Sequence, residues 1–496
     1  MSAGSAQRLS KSRYMAGLQC PKMLWWRVHE PDAPELAGAA DDKRLQAVLT
    51  RGQRIGELAR AEVAGGVLID LPHHELKGRV AATAKALADG ARAVYEASFL
   101  EDGLFVAVDI LERQRTGFVL VEVKSTLDVK DEHLPDVAVQ LHVVRRAGLS
   151  VRRAEVMHLN RECRHPDLSN LFVRENVTTQ LRAELRAVPG QAASMMEALA
   201  GPLPNVSTGP HCTAPYECPF LKRCWPPLPD HHVSTLYRIR SKRVAELVED
   251  GIETLHDLPP RLTPVGPARR QVRSVKAGKV VVERGLRRAL AALKPPLAFL
   301  DFETVNPAIP AWPGCSPYAQ VPVQFSCHVL TSEGLQHHAW LAEGAADPRE
   351  EFARALVSAC AKSKTIVAYN APFERRCVET LAEAVPALRR DLDALSGRIL
   401  DLLPIVRDHV YHPDFGGSFS IKNVLPALVP GLGYDDLAIQ DGGTASSTLE
   451  ALLLDEGAVS ASDREQLRGD LLRYCERDTL AMVRLHERLR DIAGLR

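Results

Sequence analysis

The sequence contains no apolar run near the roughly 18 residues that a membrane-spanning helix requires, so no membrane partner is expected. Its opening, MSAGSAQRLSKSRYMAG, lacks the apolar segment of a secretory leader, and a cytoplasmic protein is the expectation. No excess of either charge is present: 62 Lys and Arg balance 62 Asp and Glu, so overall charge gives no pull towards a polyanion. Internal repeats and low-complexity tracts are also missing, which excludes solenoids and long disordered arms. Ten cysteines in 496 residues, without a leader, do not make a disulfide scaffold; reduced thiols with one metal site fit better.

What is present has the composition of a globular protein, 46% hydrophobic and 25% charged, in a chain long enough for two or three cores. Residues 1–230 read as one mixed α/β domain. Helical periodicity covers 41–64 and 79–98, followed by two strands, GLFVAVDILE and GFVLVEVKST, around the turn RQRT. LPDVAVQLHVVRRAG then reads as a helix and AEVMHLN as a strand. Residues 231–296 read as two short helices around Gly251 and a basic connector. From Arg269 to Arg288 this connector holds eight basic residues against Glu283. A solvated linker is the ordinary reading of such a run, and a phosphate track is the reading if its neighbours handle nucleic acid. A second α/β domain, 297–496, opens with the strand PLAFLDFETV, continues through KTIVAYN and a helix after Asn370, and closes with a helix over 462–490.

Within VLVEVKS, strand alternation places Glu122 and Lys124 on one face, and Asp109 in LFVAVDI faces the same way if the two strands pair. Clustered carboxylates are costly to bury without a cation; two hard oxygens suit Mg²⁺ or Mn²⁺, and the lysine can stabilise charge on a scissile phosphate. An exposed Glu-x-Lys pair on a strand is common, so the pair gains weight only from its neighbours. Asp109, Glu122, Lys124 and Gln140 together resemble the PD-(D/E)XK nucleases of the RecB type. That resemblance spans about residues 9–225 and implies metal contacts by Asp109 and Glu122, with Lys124 and Gln140 in the catalytic set. The family's helix histidine is absent: Gly56 stands in its place, and Glu57 is the substitute ligand that the comparison suggests.

HCTAPYECPFLKRCW spaces Cys212, Cys218 and Cys224 with five residues between each. A tetrahedral centre needs a fourth ligand. The opening LSKSRYMAGLQCPKMLWW is similar to the N-terminal segment of iron–sulfur members of the RecB-type family, which implies Cys20 as that ligand and a [4Fe–4S] cluster as the cofactor. Ligand count and softness alone leave a structural Zn²⁺ as the alternative.

FLDFETV places Asp301 and Glu303 on one strand face, IVAYNAPFERR joins Asn370 to a helix carrying Glu374, and YCERDTLAM sets Tyr474 and Asp478 one helical turn apart. In this order the residues resemble the DEDD superfamily of 3′–5′ exonucleases, tyrosine subclass, with a ribonuclease H-like fold. The resemblance covers about 297–492. It implies Asp301, Glu303, Glu374 and Asp478 as ligands of divalent ions, Tyr474 as the group orienting the attacking water, and Asn370, Ser420 and Lys422 as substrate contacts. Glu374 departs from the superfamily's aspartate by one methylene. The fold class expected is therefore α/β, a restriction-endonuclease-like domain plus a ribonuclease H-like one, in a family of predicted nucleases acting on DNA or RNA. The alternative is a nucleic-acid-binding scaffold with one or both centres inactive.

Overall fold

The computed structural model describes residues 8–36, 43–225, 227–262, 264–455, 457 and 459–495. It forms two compact units, Met1–Pro226 and Pro227–Arg496, both mixed α/β.

The first unit is built on strands β1 (Leu9–Ser10), β2 (Val67–Leu68), β3 (Ala93–Glu101), β4 (Leu104–Gln114), β5 (Gly117–Lys124), β6 (Val151–Leu159) and β7 (Phe172–Asn176). Their order is β2-β3-β4-β5-β6-β7, and β1 runs parallel to the start of β4. β3, β4 and β5 form an antiparallel meander. The turn into β5 demands glycine: Gly117 has φ +111°, and a Cβ there would stand 2.2 Å from the Ser150 carbonyl oxygen. β6 is parallel to β5, so the chain must cross over, and the helix His133–Arg146 makes that crossing. Val137, Ala138, Val139, Leu141, Val143 and Val144 are all fully buried, so this helix is apolar on most sides and covered on most sides.

The expected helix over 79–98 ends earlier. It runs Leu76–Ala88 and stops at Asp89 and the left-handed Gly90; residues from Ala93 onward form β3, because Val94, Ala97 and Phe99 pack into the sheet's core.

In the second unit, β9 (Leu297–Val305), β10 (Val321–Thr331), β11 (Gly334–Leu341), β12 (Thr365–Ala368) and β13 (Ile399–Asp401) form a sheet ordered β11-β10-β9-β12-β13. β10 is antiparallel to both of its neighbours; β12 is parallel to β9 and to β13. β9 is central and packed on both faces. Ala298, Leu300 and Phe302 join the core under the helices Arg349–Cys360 and Pro372–Ala384. Leu297, Phe299 and Val305 face the other way, towards the closing helix Ala461–Ile492. Asp301 and Glu303 have the parity of this second set, which decides which helix can meet them.

The expected connector is folded into this unit. The helices Ser241–Glu249 and Pro267–Ala277 share a core of Val233, Leu247, Leu255, Val272 and Val275. Gly251 is followed by turns and an isolated bridge between His232 and Thr254, where a second helix was expected. Arg270 is buried and donates to the carbonyls of Arg407 (2.6 Å) and Asp408, while β8 (Val281–Val282) pairs with β14 (Val410–Tyr411). Of the eight basic residues from Arg269 to Arg288, Arg270 is packed inward and the other seven are exposed; among these, Arg273 is paired to Glu283 at 3.0 Å and Lys276 donates to the Leu258 carbonyl at 2.5 Å. No described helix is long and apolar enough to cross a membrane.

Candidate active sites

In the first unit, the β4–β5 ladder pairs Ile110 with Val121, so Asp109 and Glu122 follow as the next residues across from each other. The Val123 amide donates to Asp109 Oδ2 at 2.6 Å. Glu122 is buried, and both of its oxygens are filled. Lys124 Nζ lies 2.7 Å and Lys11 Nζ 2.9 Å from Oε1, and Gln140 donates to Oε2 at 2.7 Å. Asp136, one helical turn before Gln140, closes the group: it meets Lys124 at 2.5 Å, Lys11 at 3.2 Å and Gln140 at 3.1 Å. Burial would raise the Glu122 carboxyl, but the two ammonium groups pull it below the ordinary carboxylate range. Burial and the Glu122 charge push Asp109 up to about 8.

Asp109, Glu122, Lys124 and Gln140 are thus brought together, and Glu57 is not. Ile55, Ala59 and Val63 define the buried face of the helix Lys43–Glu62, and Glu57 is exposed away from it. Lys11 and Asp136 escaped the sequence reading. For Asp136 a signal existed, its place one turn before Gln140; for Lys11, more than a hundred residues upstream, there was none. An open pocket of about 630 Å³ beside Asp109 is lined by Arg8, Lys11, Arg13, His73, His74 and Glu96 among others.

Cys20, Cys212, Cys218 and Cys224 line a common small cavity with Trp26 and Met23. Burial raises the thiols of Cys218 and Cys224, and the neighbouring cysteines add to it. The quartet is fixed by its surroundings: Gln19 donates to the carbonyls of His211 (2.8 Å) and Tyr216 (2.6 Å), and Arg223 pairs with Glu30 and Glu35 across the same gap in sequence.

In the second unit, Asp301, Glu303, Lys422, Tyr474 and Asp478 line one open pocket of about 420 Å³, with Phe373, Gln320 and Ser446. Asp301 and Glu303 come from β9, Asp478 and Tyr474 from the closing helix, and Glu374 from the first turn of Pro372–Ala384. The acids repel one another. Burial, then Asp478, Glu303 and Glu374, hold Asp301 well above its ordinary value, and burial with Asp478 does the same to Glu303. Burial pushes Glu374 up to about 8 and Asp478 up to about 6; hydrogen bonds from Tyr434 and Tyr474, with the Lys422 charge, oppose the rise at Asp478. Glu374 Oε2 is buried with no hydrogen-bond partner.

Tyr434 was not foreseen. Its hydroxyl donates to Asp478 Oδ1 at 2.6 Å, and Lys422 Nζ sits 5.2 Å from its ring centre and 5.6 Å from that of Tyr474. Cys475 was also missed as a neighbour: its sulfur lies 3.9 Å from Asp301 Oδ2. Ser420 stays outside the pocket lining, bonded to Asn423 at 2.8 Å. Asn370 is exposed at φ +72°, and its amide donates to Asp401, which also caps the helix Leu402–His409. The expected substrate contacts therefore separate: Lys422 faces the acids, whereas Ser420 and Asn370 lie at element ends.

Residues 298–420 match a family described as a domain of unknown function, DUF2779. No curated protein matches. Among solved structures, the family B DNA polymerase from the hyperthermophilic archaeon Pyrobaculum calidifontis aligns at 16% identity with a TM-score of 0.26. The alignment covers 38% of this chain and 24% of the polymerase.

Proposed function

We propose that this chain is a divalent-metal-dependent nuclease that hydrolyses phosphodiester bonds of DNA or RNA, with 3′–5′ exonuclease activity in the second unit and a RecB-like centre in the first. One observation carries the reading: Asp301, Glu303, Glu374 and Asp478, from three separate elements, converge, and burial with mutual repulsion outweighs the Lys422 charge that opposes it. Folded proteins avoid such a cluster unless a cation completes it. The sheet order of the second unit, with its second strand antiparallel, supports the ribonuclease H-like assignment, as the meander, crossover helix and parallel strand of the first support the PD-(D/E)XK one.

The four carboxylates are hard oxygen donors, with the Cys475 sulfur beside Asp301, and they include an unpartnered oxygen on Glu374, which fits Mg²⁺ or Mn²⁺. Bound there, divalent ions would supply charge stabilisation to the attacking and leaving oxygens. The chain's own groups do the rest. Tyr474 and Tyr434 hold Asp478 in position, Lys422 provides a cation for a substrate phosphate, and Phe373 offers an apolar face at the rim. In the first unit, Asp109 and Glu122 would hold a cation, with Lys124 beside them. Cys20, Cys212, Cys218 and Cys224 would hold the [4Fe–4S] cluster.

A second reading has one observation behind it. Both Glu122 oxygens are occupied by Lys11, Lys124 and Gln140, which suits a first unit that binds nucleic acid without cutting it. The two readings part on Lys11→Met. If Lys11 competes with a cation, the variant binds Mn²⁺ at Asp109 and Glu122 at least tenfold more tightly by calorimetry; unchanged binding means the centre is closed. The whole proposal is tested by incubating the full chain with single- and double-stranded DNA and RNA in Mn²⁺, alongside Asp109→Asn and Tyr474→Phe. Tyr474→Phe is expected to slow 3′ nucleotide release while leaving Mn²⁺ affinity within about threefold, since only a hydroxyl is lost. No cleavage of any substrate by the wild type would overturn it.

A further inference from the structure

A second group of ligand atoms lies on the far side of the closing helix from Tyr474 and Asp478. His328 on β10 and His337 on β11 are directly opposed in the antiparallel register, and their rings stack with centres 4.4 Å apart. Glu476 reaches them from the closing helix, its Oε1 3.7 Å from His337 Nδ1. One atom from each of the three residues can be chosen so that all lie within 4.8 Å. Glu476 is two residues from both Tyr474 and Asp478, about 200° round the helix, so this group is separate from the carboxylate centre.

A chain of hydroxyls lies beneath the rings. Thr479 Oγ1 is 3.1 Å from the Glu476 carbonyl, 2.8 Å from His328 Nδ1 and 2.7 Å from Ser326 Oγ, and Ser326 Oγ is 2.9 Å from His337 Nε2. With Thr479 donating to the Glu476 carbonyl, the chain is satisfied when His328 Nδ1 and His337 Nε2 carry the ring protons, which leaves Nε2 of His328 and Nδ1 of His337 free, Nδ1 facing Glu476. Ser326, His328 and Thr479 are buried, so the chain is held in place by its surroundings. Metal-binding histidines are arranged in this way: one nitrogen is anchored by a second group and the other is free for the ion.

We propose that His328, His337 and Glu476 form a cation site for a zinc-class ion (Zn²⁺, Co²⁺ or Ni²⁺), distinct from the carboxylate centre. Two imidazoles and one carboxylate select these ions over Mg²⁺. The Glu476 side chain is 46% exposed, which leaves a fourth position open to solvent. A bound ion joins the β10–β11 hairpin to the helix that carries Tyr474 and Asp478. Its effect is therefore expected on the stability of that helix's packing.

The test is Zn²⁺ binding to the full chain in millimolar Mg²⁺, which fills hard-oxygen centres, comparing wild type with His337→Ala and Glu476→Gln. Each variant is expected to bind one fewer Zn²⁺ at micromolar concentration, and Co²⁺ is expected to give a visible absorption band in the wild type that His337→Ala loses. His337 lies at the sheet's edge strand; if its removal lowers melting without metal, the half-exposed Glu476→Gln decides. Equal Zn²⁺ stoichiometry and affinity in wild type and Glu476→Gln overturns the site. The result is independent of nuclease activity, so failure of the catalytic reading leaves it standing.

Discussion

Asp301→Asn is expected to reduce divalent-dependent release of nucleotides from a 3′ end on the order of 10³-fold, without unfolding the chain. Asp301 is the residue whose charge all three other acids oppose, so it is the position at which a cation relieves most repulsion. Burial of the acids also fixes a dependence on pH. Glu374 at about 8 and Asp478 at about 6 keep protons in the folded chain that the unfolded chain, with carboxyls near 4, has released. The folded state then binds more protons than the unfolded one, so these groups contribute stability below about pH 4 that is lost as pH rises towards 8. In metal-free buffer, wild type should therefore lose more melting temperature between pH 5 and pH 8 than Asp301→Asn, which lacks one charge of the cluster. Mn²⁺ should remove most of that difference in the wild type. Wild-type rates in Asp301→Asn, or identical pH slopes in the two proteins, would refute the assignment of this cluster as a cation centre.

Cys20→Ser is expected to have the largest effect on the first unit: loss of the bound cofactor and a fall of ten degrees or more in that unit's melting transition. The cofactor would join residues roughly 190 apart, and closing a loop of that length removes about 5 kcal/mol of unfolded-state entropy in the chain-entropy account. Metal–sulfur bonds to the folded state add to this. Cys163, in a separate loop near Asp167, serves as the control, because Cys163→Ser should retain the cofactor in full. Anaerobic purification with an absorption spectrum and iron and zinc analysis reads the outcome. Full cofactor retention in Cys20→Ser would exclude it as the distant ligand.

Lys11 and Glu57 show where the sequence stopped being informative. Glu57 was a candidate because of its position after a helix glycine, but position along a helix fixes only a direction around its axis. The apolar pattern Ile55, Ala59, Val63 could have shown that Glu57 points away from the sheet. Lys11 carried no local signal. It reaches Glu122 because β1 pairs with the start of β4 and sets the first helix over the end of β5, a contact that depends on chain packing alone.

The basic run from Arg269 to Arg288 gives the same lesson for fold. Its charges suggested a connector exposed throughout, whereas Val272 and Val275 lie inside a small core and the buried Arg270 donates to two carbonyls at a helix end. A window of composition cannot reveal that a helix is amphipathic about an arginine.

The sequence by itself determined those features that follow from strand and helix periods. Asp301 and Glu303 share a strand face, Tyr474 and Asp478 share a helix face, and Glu122 and Lys124 flank the partly buried Val123, all from backbone geometry within a few residues. Tertiary structure alone decided the rest: Lys11 against Glu122, Tyr434 on Asp478, and His328, His337 and Glu476 as one group. Those meetings are set by strand register and helix docking across tens to hundreds of residues. The energy that fixes register comes from burying apolar side chains, so the polar groups that end up adjacent leave no periodic trace in the chain.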